Sequence, residues 1–179
     1  MICSFCKNII CGKKYCFFCG SKLELEFKIL VLCASDNSTT INKSLNKILP
    51  LFNKNLDLKS KLIKFIYIGY NITENNNNKF KIDLSRINEE QYSILYKNGP
   101  FDLVINEYCS NFVKGDFNTN TIIDILNTFF LKKITKNNHF YITPNYKNIL
   151  TIYDKDNNFI IPGYNNIDKQ GKLLLSIKI

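Results

Sequence analysis

The sequence predicts an α/β protein: a small N-terminal module over residues 1–25, then a mostly parallel β-sheet with helices on both faces over residues 26–179. Two observations predict this division. Five of the seven cysteines fall within the first nineteen residues, and from residue 27 onward apolar runs of strand length alternate with amphipathic segments. Continuous apolar runs are typical of strands buried on both faces, which predicts a parallel sheet.

The N-terminal cysteines are spaced for metal binding. Cys3 and Cys6 form one C-x-x-C pair, and Cys16 and Cys19 form a second. Each pair fits a tight turn that aims two thiolates at one point, so two turns supply the four sulfurs of a tetrahedral Zn²⁺ site. These four residues give the symmetric solution and are the predicted structural zinc ligands; Cys11 is a spare, and its replacing one of them is the alternative.

Other interpretations of the cysteine cluster are less favoured. A disulfide pair needs an oxidising compartment, and a redox C-x-x-C normally lies between a strand and a helix; the sequence indicates neither. The stretch resembles the zinc ribbon family, most closely in the second knuckle, residues 16–23. A closed four-thiolate site is structural, so any chemistry is expected beyond Leu23.

The first half of the sheet region follows from apolar patterning. Residues 27–33 are a continuous apolar run and predict a buried strand, followed by the polar loop 34–39. Residues 41–52 place apolar side chains at helical spacing. Residues 64–69 predict a second buried strand, and residues 80–84 predict a short third strand after an asparagine-rich tip.

The second half continues this alternation. Residues 88–97 predict a helix that ends at Asn98-Gly99-Pro100, because glycine and proline terminate helices. The remaining predictions are a strand at 101–106, an amphipathic helix at 120–133, a strand at 139–143, an antiparallel hairpin at 149–161 and a last strand at 173–179. The antiparallel additions are therefore expected at the C-terminal end.

Three stretches of this region, residues 67–74, 99–106 and 131–143, are similar to the second strand, the fourth strand and the following helix–strand unit of class I S-adenosylmethionine-dependent methyltransferases. The resemblance spans residues 27–179 and implies a Rossmann-like fold with a cofactor site at the carboxyl ends of the strands. It places S-adenosylmethionine near Ser35, Asp36, Asn71 and Asp83. It places a catalytic loop at Asn106 and Glu107.

The departures from the family pattern are substantial. The loop after the first strand, residues 33–38, has no glycine, although close cofactor approach normally requires one. Asn71 stands where the family has an acidic residue for the ribose hydroxyls, and the Asn/Asp-Pro-Pro-Tyr motif is absent after Asn106. The sequence therefore predicts a noncatalytic or vestigial methyltransferase-like protein. The alternative is an active methyltransferase with a remodelled cofactor loop.

Three further residues are weaker candidates. Asp102 is interpreted as a strand-entry residue rather than a catalyst. His139 is the sole histidine and opens a strand with no partner visible in the sequence. Cys109 has no positioned base beside it, which argues against Cys/His nucleophilic chemistry.

The charge is +9, from 24 basic and 15 acidic residues, but Arg86 is the sole arginine. Lysine attracts phosphate without the bidentate guanine readout that arginine supplies, so the balance fits either sequence-independent nucleic-acid binding or a solvated lysine surface. The lysine and asparagine bias is typical of A/T-rich coding, as in some large DNA viruses, plasmids or parasites.

The predicted location is intracellular, in the cytoplasm or nucleus of a host or in a virion. No stretch reaches the ~20 apolar residues of a membrane span, and no signal peptide precedes the cysteines. Reduced cysteines are expected. The predicted role is that of a nucleic-acid- or protein-binding component of a transcription, replication or virion assembly.

Overall fold

A computed structural model of the chain describes residues 26–36, 62–106, 119–144, 163–170 and 173–179. Nine elements occur in these ranges. In chain order they are β1 Glu26–Leu32, β2 Leu62–Gly69, β3 Lys79–Lys81, α1 Glu89–Asn98, β4 Phe101–Asn106, α2 Thr119–Leu131, β5 Thr135–Pro144, β6 Tyr164–Gln170 and β7 Leu173–Lys178. The predicted module at 1–25, the predicted helix at 41–52 and the predicted hairpin at 149–161 lie outside the described residues.

The seven strands form one sheet in the order β3-β2-β1-β4-β5-β7-β6. Strands β1 to β5 are parallel to one another, whereas β7 is antiparallel to both of its neighbours, β5 and β6. The order reverses between β1 and β4, as it does at the switch point of doubly wound folds. The predicted mixed α/β class with a mostly parallel sheet and an antiparallel C-terminal end is thereby confirmed.

Buried aliphatic side chains explain the central strands. In β1, four consecutive residues, Ile29 to Leu32, are fully buried, and Leu103 and Val104 in β4 are equally inaccessible. Alternate residues enter two separate hydrophobic clusters, one on each face of the sheet. A strand buried on both faces is therefore apolar at successive positions, as the sequence indicated.

Both described helices pack on the same face. Leu95 of α1 and Leu126 and Phe129 of α2 belong to one cluster, together with Leu30 and Val104 from the sheet. The cluster on the opposite face contains no residue of either described helix. Within the described ranges, helices on both faces are therefore not confirmed.

The ends of the helices follow standard capping chemistry. Asn88 caps α1 by accepting a hydrogen bond from the Gln91 N–H at 2.9 Å, while the Gln91 side chain accepts from the Asn88 N–H at 3.1 Å. Of the helices that the structure describes, none is long and apolar enough to span a membrane.

Candidate functional site

The carboxyl ends of β1, β2, β3 and β4 lie side by side at one edge of the sheet, here called the carboxyl edge. Leu32 pairs with Asn106, so the ends of β1 and β4 flank the point where the strand order reverses. Open α/β sheets bind ligands in the crevice at this point. All of the predicted cofactor residues lie at this edge.

The chain after β1 stays against β2. The Ala34 N–H donates to the Ile68 carbonyl at 2.9 Å, and Ser35 forms a parallel bridge with Asn71. Gly69 permits this contact, because a Cβ built there would lie 2.0 Å from the Ala34 carbonyl oxygen. Two predicted cofactor residues, Ser35 and Asn71, are therefore joined to each other.

Asp36 is bound by the loop after β2. Its carboxylate accepts the Thr73 hydroxyl at 2.7 Å and the Thr73 N–H at 3.1 and 3.2 Å. The Lys79 ammonium donates to the Asp36 carbonyl at 3.1 Å. The carboxylate thus already has a hydroxyl and an amide donor from its own chain.

Asp83 forms a local turn. Its Oδ1 accepts the Ser85 N–H at 2.9 Å and the Ser85 hydroxyl at 2.6 Å. This is the self-bonding that makes aspartate favourable in turns before a helix. The carboxylate is used by the connection from β3 to α1.

Asn106 belongs to a buried group of side chains under the edge. It is 8% exposed, and its amide nitrogen donates to the Thr143 hydroxyl at 3.5 Å. Burial raises the pKa of the neighbouring Tyr141 phenol, and hydrogen bonds from Thr143 and Asn106 oppose that increase. The second predicted catalytic residue, Glu107, lies outside the described residues.

The described residues of the carboxyl edge do not present the groups that the methyltransferase resemblance implies for S-adenosylmethionine. The chain after β1 is hydrogen-bonded along β2 instead of turning around a ligand, and it offers no glycine for close approach. The ribose position holds Asn71, and the carboxylate of Asp36, which follows the Ser35–Asn71 bridge, is occupied by Thr73. No catalytic step through this cofactor follows from the arrangement.

The predicted zinc ligands belong to the N-terminal module, residues 1–25. Cys3, Cys6, Cys16 and Cys19 all lie outside the described residues, and no cluster of three or more potential metal ligands occurs in the part that is described. Cys33 is disulfide-bonded. The expectation of reduced cysteines therefore does not extend to Cys33.

The end of the sheet at which the amino ends of the parallel strands lie, here called the amino edge, holds Asp102, which was predicted to be a strand-entry residue. Asp102 accepts the Lys28 N–H at 2.8 Å and is paired with the Lys136 ammonium. The Lys28 ammonium in turn donates to the Gly99 carbonyl at 2.8 Å. Asp102 ties β1, β4 and β5 together far from the switch point, in keeping with its interpretation as a strand-entry residue.

His139 has a partner that sequence reasoning missed. Its Nδ1 lies 2.9 Å from the Lys136 carbonyl, and its Nε2 lies 2.6 Å from the Tyr164 hydroxyl. Because a carbonyl only accepts, Nδ1 carries the proton and Nε2 accepts from Tyr164. Burial lowers the pKa of His139, so the ring is held neutral. No sequence signal links residues from two separate strands in this way.

Charge is distributed unequally between the two edges. The described residues hold eleven basic and nine acidic side chains, and the rest of the +9 excess lies outside them. The amino edge holds seven lysines and two carboxylates. The lysines are Lys28, Lys64, Lys97, Lys132, Lys133, Lys136 and Lys178, and the carboxylates are Glu26 and Asp102. At the carboxyl edge, three basic residues face five acids: Lys79, Lys81 and Arg86 against Asp36, Glu74, Asp83, Glu89 and Glu90.

Comparison with known proteins identifies no relative: no protein-family model, no curated protein and no solved structure matches the chain.

Proposed function

We propose that the protein is a noncatalytic, methyltransferase-like adaptor. In this proposal an N-terminal zinc ribbon and an α/β domain together bind nucleic acid or protein within a transcription, replication or virion assembly. The α/β domain derives from class I S-adenosylmethionine-dependent methyltransferases and has lost the cofactor. An active methyltransferase with a remodelled cofactor loop is the alternative that the experiment below distinguishes.

The ancestry is supported by topology. A doubly wound order with its switch point between β1 and β4, followed by an antiparallel pair at the C-terminal end, is what the methyltransferase resemblance implies. Topology alone does not carry activity, because one fold hosts many functions.

The loss of activity is supported by one observation above all: the polar groups at the carboxyl edge are hydrogen-bonded to their own neighbours. Asp36 is bound by Thr73, Asp83 by Ser85, and Asn106 contacts Thr143. A ligand would have to replace these bonds with bonds of equal strength, and it gains only the difference.

The zinc ribbon is supported by donor chemistry. Two C-x-x-C pairs separated by nine residues supply four thiolates, and thiolate is a preferred zinc ligand. A module of about 25 residues is too short to fold on its own hydrophobic core, so the metal would provide its folding free energy.

Isothermal titration calorimetry of the full chain with S-adenosylmethionine tests the proposal. The titration is expected to show no heat of binding. Thermal denaturation of the same chain at millimolar cofactor is expected to show no change in the melting temperature. Saturable binding, or transfer of a labelled methyl group to nucleic acid or protein, would instead establish the enzyme.

Elemental analysis is the control for a correctly assembled preparation. One zinc per chain is expected, with Cys16→Ser losing the metal and Cys11→Ser, the matched cysteine outside the predicted ligand set, retaining it. A Cys16→Ser protein that keeps its zinc would contradict the ligand assignment and leave the cofactor result standing.

A further inference from the structure

The lysines of the amino edge concentrate where two connections meet. The turn between α1 and β4 packs against the turn between α2 and β5, because the Phe101 N–H donates to the Ile134 carbonyl at 2.9 Å. The Lys132 ammonium lies 4.4 Å from the centroid of the Tyr92 ring, which joins the end of α2 to α1. The two helix ends therefore form one continuous surface.

This surface, here called the amino-edge surface, consists of Tyr96, Lys97, Lys132, Lys133 and Lys136. Lys97 and Lys133 are exposed, and the Tyr96 ring is 46% exposed. Asp102, the carboxylate beside Lys136, is mostly buried and already accepts the Lys28 N–H. The surface is therefore strongly positive in net charge.

Helix electrostatics explain only part of this pattern. Cations at the C-terminal end of a helix interact favourably with the macrodipole, and Lys97 lies in the last turn of α1. Lys133 is different, because it has a φ of 57°, in the left-handed region. It follows α2 in a Schellman arrangement, in which the Lys133 N–H donates to the Phe130 carbonyl and the Ile134 N–H donates to the Phe129 carbonyl.

Glycine is the residue that this position favours. A side chain in the left-handed conformation costs free energy that glycine avoids. A charged residue at a strained backbone position indicates that its side chain has a functional role. At Lys133 that side chain is an exposed cation beside two other lysines.

We propose that the amino-edge surface binds the phosphate backbone of nucleic acid without regard to sequence. Lys97, Lys132 and Lys133 make the phosphate contacts. The proposal rests on the adaptor function and specifies its partner and its surface. It places the nucleic acid on the side of the sheet opposite the switch point.

The chemistry of the surface favours nucleic acid over other anionic partners. At the two described helix ends, the exposed aliphatic side chain is Leu131, at 78%, and one such side chain offers too little area to insert into a membrane or to form the core of a protein interface. Phosphate contacts require only cations. Lysines without arginine give little base readout, and the Tyr96 ring is available to stack on an unpaired base.

Fluorescence anisotropy with the full, zinc-loaded chain tests this assignment. The probes are a labelled single-stranded and a labelled duplex oligonucleotide of mixed sequence, titrated from low to physiological salt. Lys97→Gln and Lys133→Gly are each expected to weaken binding about threefold to tenfold and to reduce the slope of log K against log salt by about 0.7–0.9. Lys81→Gln, an exposed lysine at the carboxyl edge, is the matched control and is expected to bind like the unmodified protein.

Lys133→Gly also separates binding from folding. Because glycine relieves the left-handed strain, this variant is expected to melt about 2–4 °C higher while it binds more weakly. Weaker binding by a more stable protein cannot come from damage to the fold.

Three results would overturn the inference. The first is the absence of binding to either oligonucleotide. The second is binding that Lys81→Gln weakens as much as Lys133→Gly does. The third is equal or tighter binding to anionic vesicles or to polyglutamate. If the oligonucleotides bind and only variants in residues 1–25 weaken this binding, the adaptor function stands and the assignment of the amino-edge surface fails.

Discussion

The two edges of the sheet differ in how their polar groups are used. At the carboxyl edge, exposed side chains bond to adjacent loops, as Asp36 does to Thr73. At the amino edge, a mostly buried carboxylate, Asp102, and a buried imidazole, His139, connect strands across the sheet. The amino edge also holds the lysine excess.

Under the proposed function, the partner binds away from the switch point, where this fold commonly holds a ligand. The switch point is where a doubly wound sheet offers a crevice, but the residues there must also leave donors and acceptors for a ligand. Here Asp36, Asp83 and Asn106 bond to neighbouring residues of the chain, while the opposite edge holds the lysine excess of the described residues.

The largest effect is expected at the carboxyl edge, from Gly69→Ala. The added Cβ would lie 2.0 Å from the Ala34 carbonyl oxygen and 2.8 Å from the Ala34 nitrogen, both backbone atoms that a rotamer change cannot move. The chain after β1 must then separate from β2, at a cost of about 3 kcal/mol or more in the free energy of unfolding. Urea denaturation monitored by circular dichroism measures it.

Tyr70→Ala is the matched control, because Tyr70 is the next residue and is 64% exposed. It is expected to change the stability by less than about 0.5 kcal/mol. A Gly69→Ala protein as stable as this control would show that the contact between Ala34 and β2 does not close the carboxyl edge. The crevice would then be open to a ligand, which favours the active methyltransferase over the vestigial one.

Much of the fold could be predicted because its central strands are patterned. The predicted strand at 101–106 has the same bounds as β4, and the predictions at 27–33 and 64–69 differ from β1 and β2 by one or two residues at their ends. Burial on both faces requires a continuous apolar run, and such a run is visible in the sequence.

Edge strands with polar sequences could not be predicted in this way. The strand β6, Tyr164–Gln170, reads YNNIDKQ and shows neither alternation nor an apolar run. It is held by its pairing with β7, which includes an irregularity between Asn166 and Asp168. Likewise, β5 begins at Thr135 rather than at the predicted residue 139, because its first residues, TKNN, are polar.

The site was predictable in position and not in its contacts. The ends of the strands placed Ser35, Asp36, Asn71, Asp83 and Asn106 at one edge, since parallel strands end on the same side. Their hydrogen bonds depend on register and loop path, which patterning does not specify. The bond from Thr73 to Asp36 joins residues 37 positions apart, and nothing in either segment indicates the other.

A second test compares an aspartate from each edge. Asp102→Ala removes the acceptor of the partly buried Lys28 N–H and the partner of Lys136, so it is expected to cost about 2 kcal/mol of unfolding free energy. Asp36→Ala removes bonds that are exposed to water and is expected to cost about 0.5 kcal/mol. Equal losses, measured by urea denaturation of both variants, would mean that the two edges are held together in the same way.

The smallest effect is a pH dependence confined to the amino edge. His139 is neutral and faces the Lys178 ammonium, the Lys136 carbonyl and the Tyr164 hydroxyl. Burial lowers the pKa of His139 below the ordinary 6.5. The hydrogen bond to the Lys136 carbonyl opposes this decrease, and the Lys178 charge adds to it to a lesser extent. The unfolded chain therefore binds a proton at a higher pH than the folded chain does. The contribution of neutral His139 to the free energy of unfolding is fully present above about pH 6.5. It decreases as the pH falls toward the pKa that His139 has in the folded protein, by at most about 1.4 kcal/mol per pH unit.

Thermal denaturation between pH 5 and pH 7.5 measures this slope. His139→Gln retains a polar side chain at the position and is expected to melt at a lower temperature at pH 7.5 but to lose the pH dependence above pH 5. Asp36→Ala, at the opposite edge, is expected to keep the slope of the unmodified protein. A slope that persists in His139→Gln would assign the proton to another group and would remove the buried imidazole from the contacts that distinguish the amino edge.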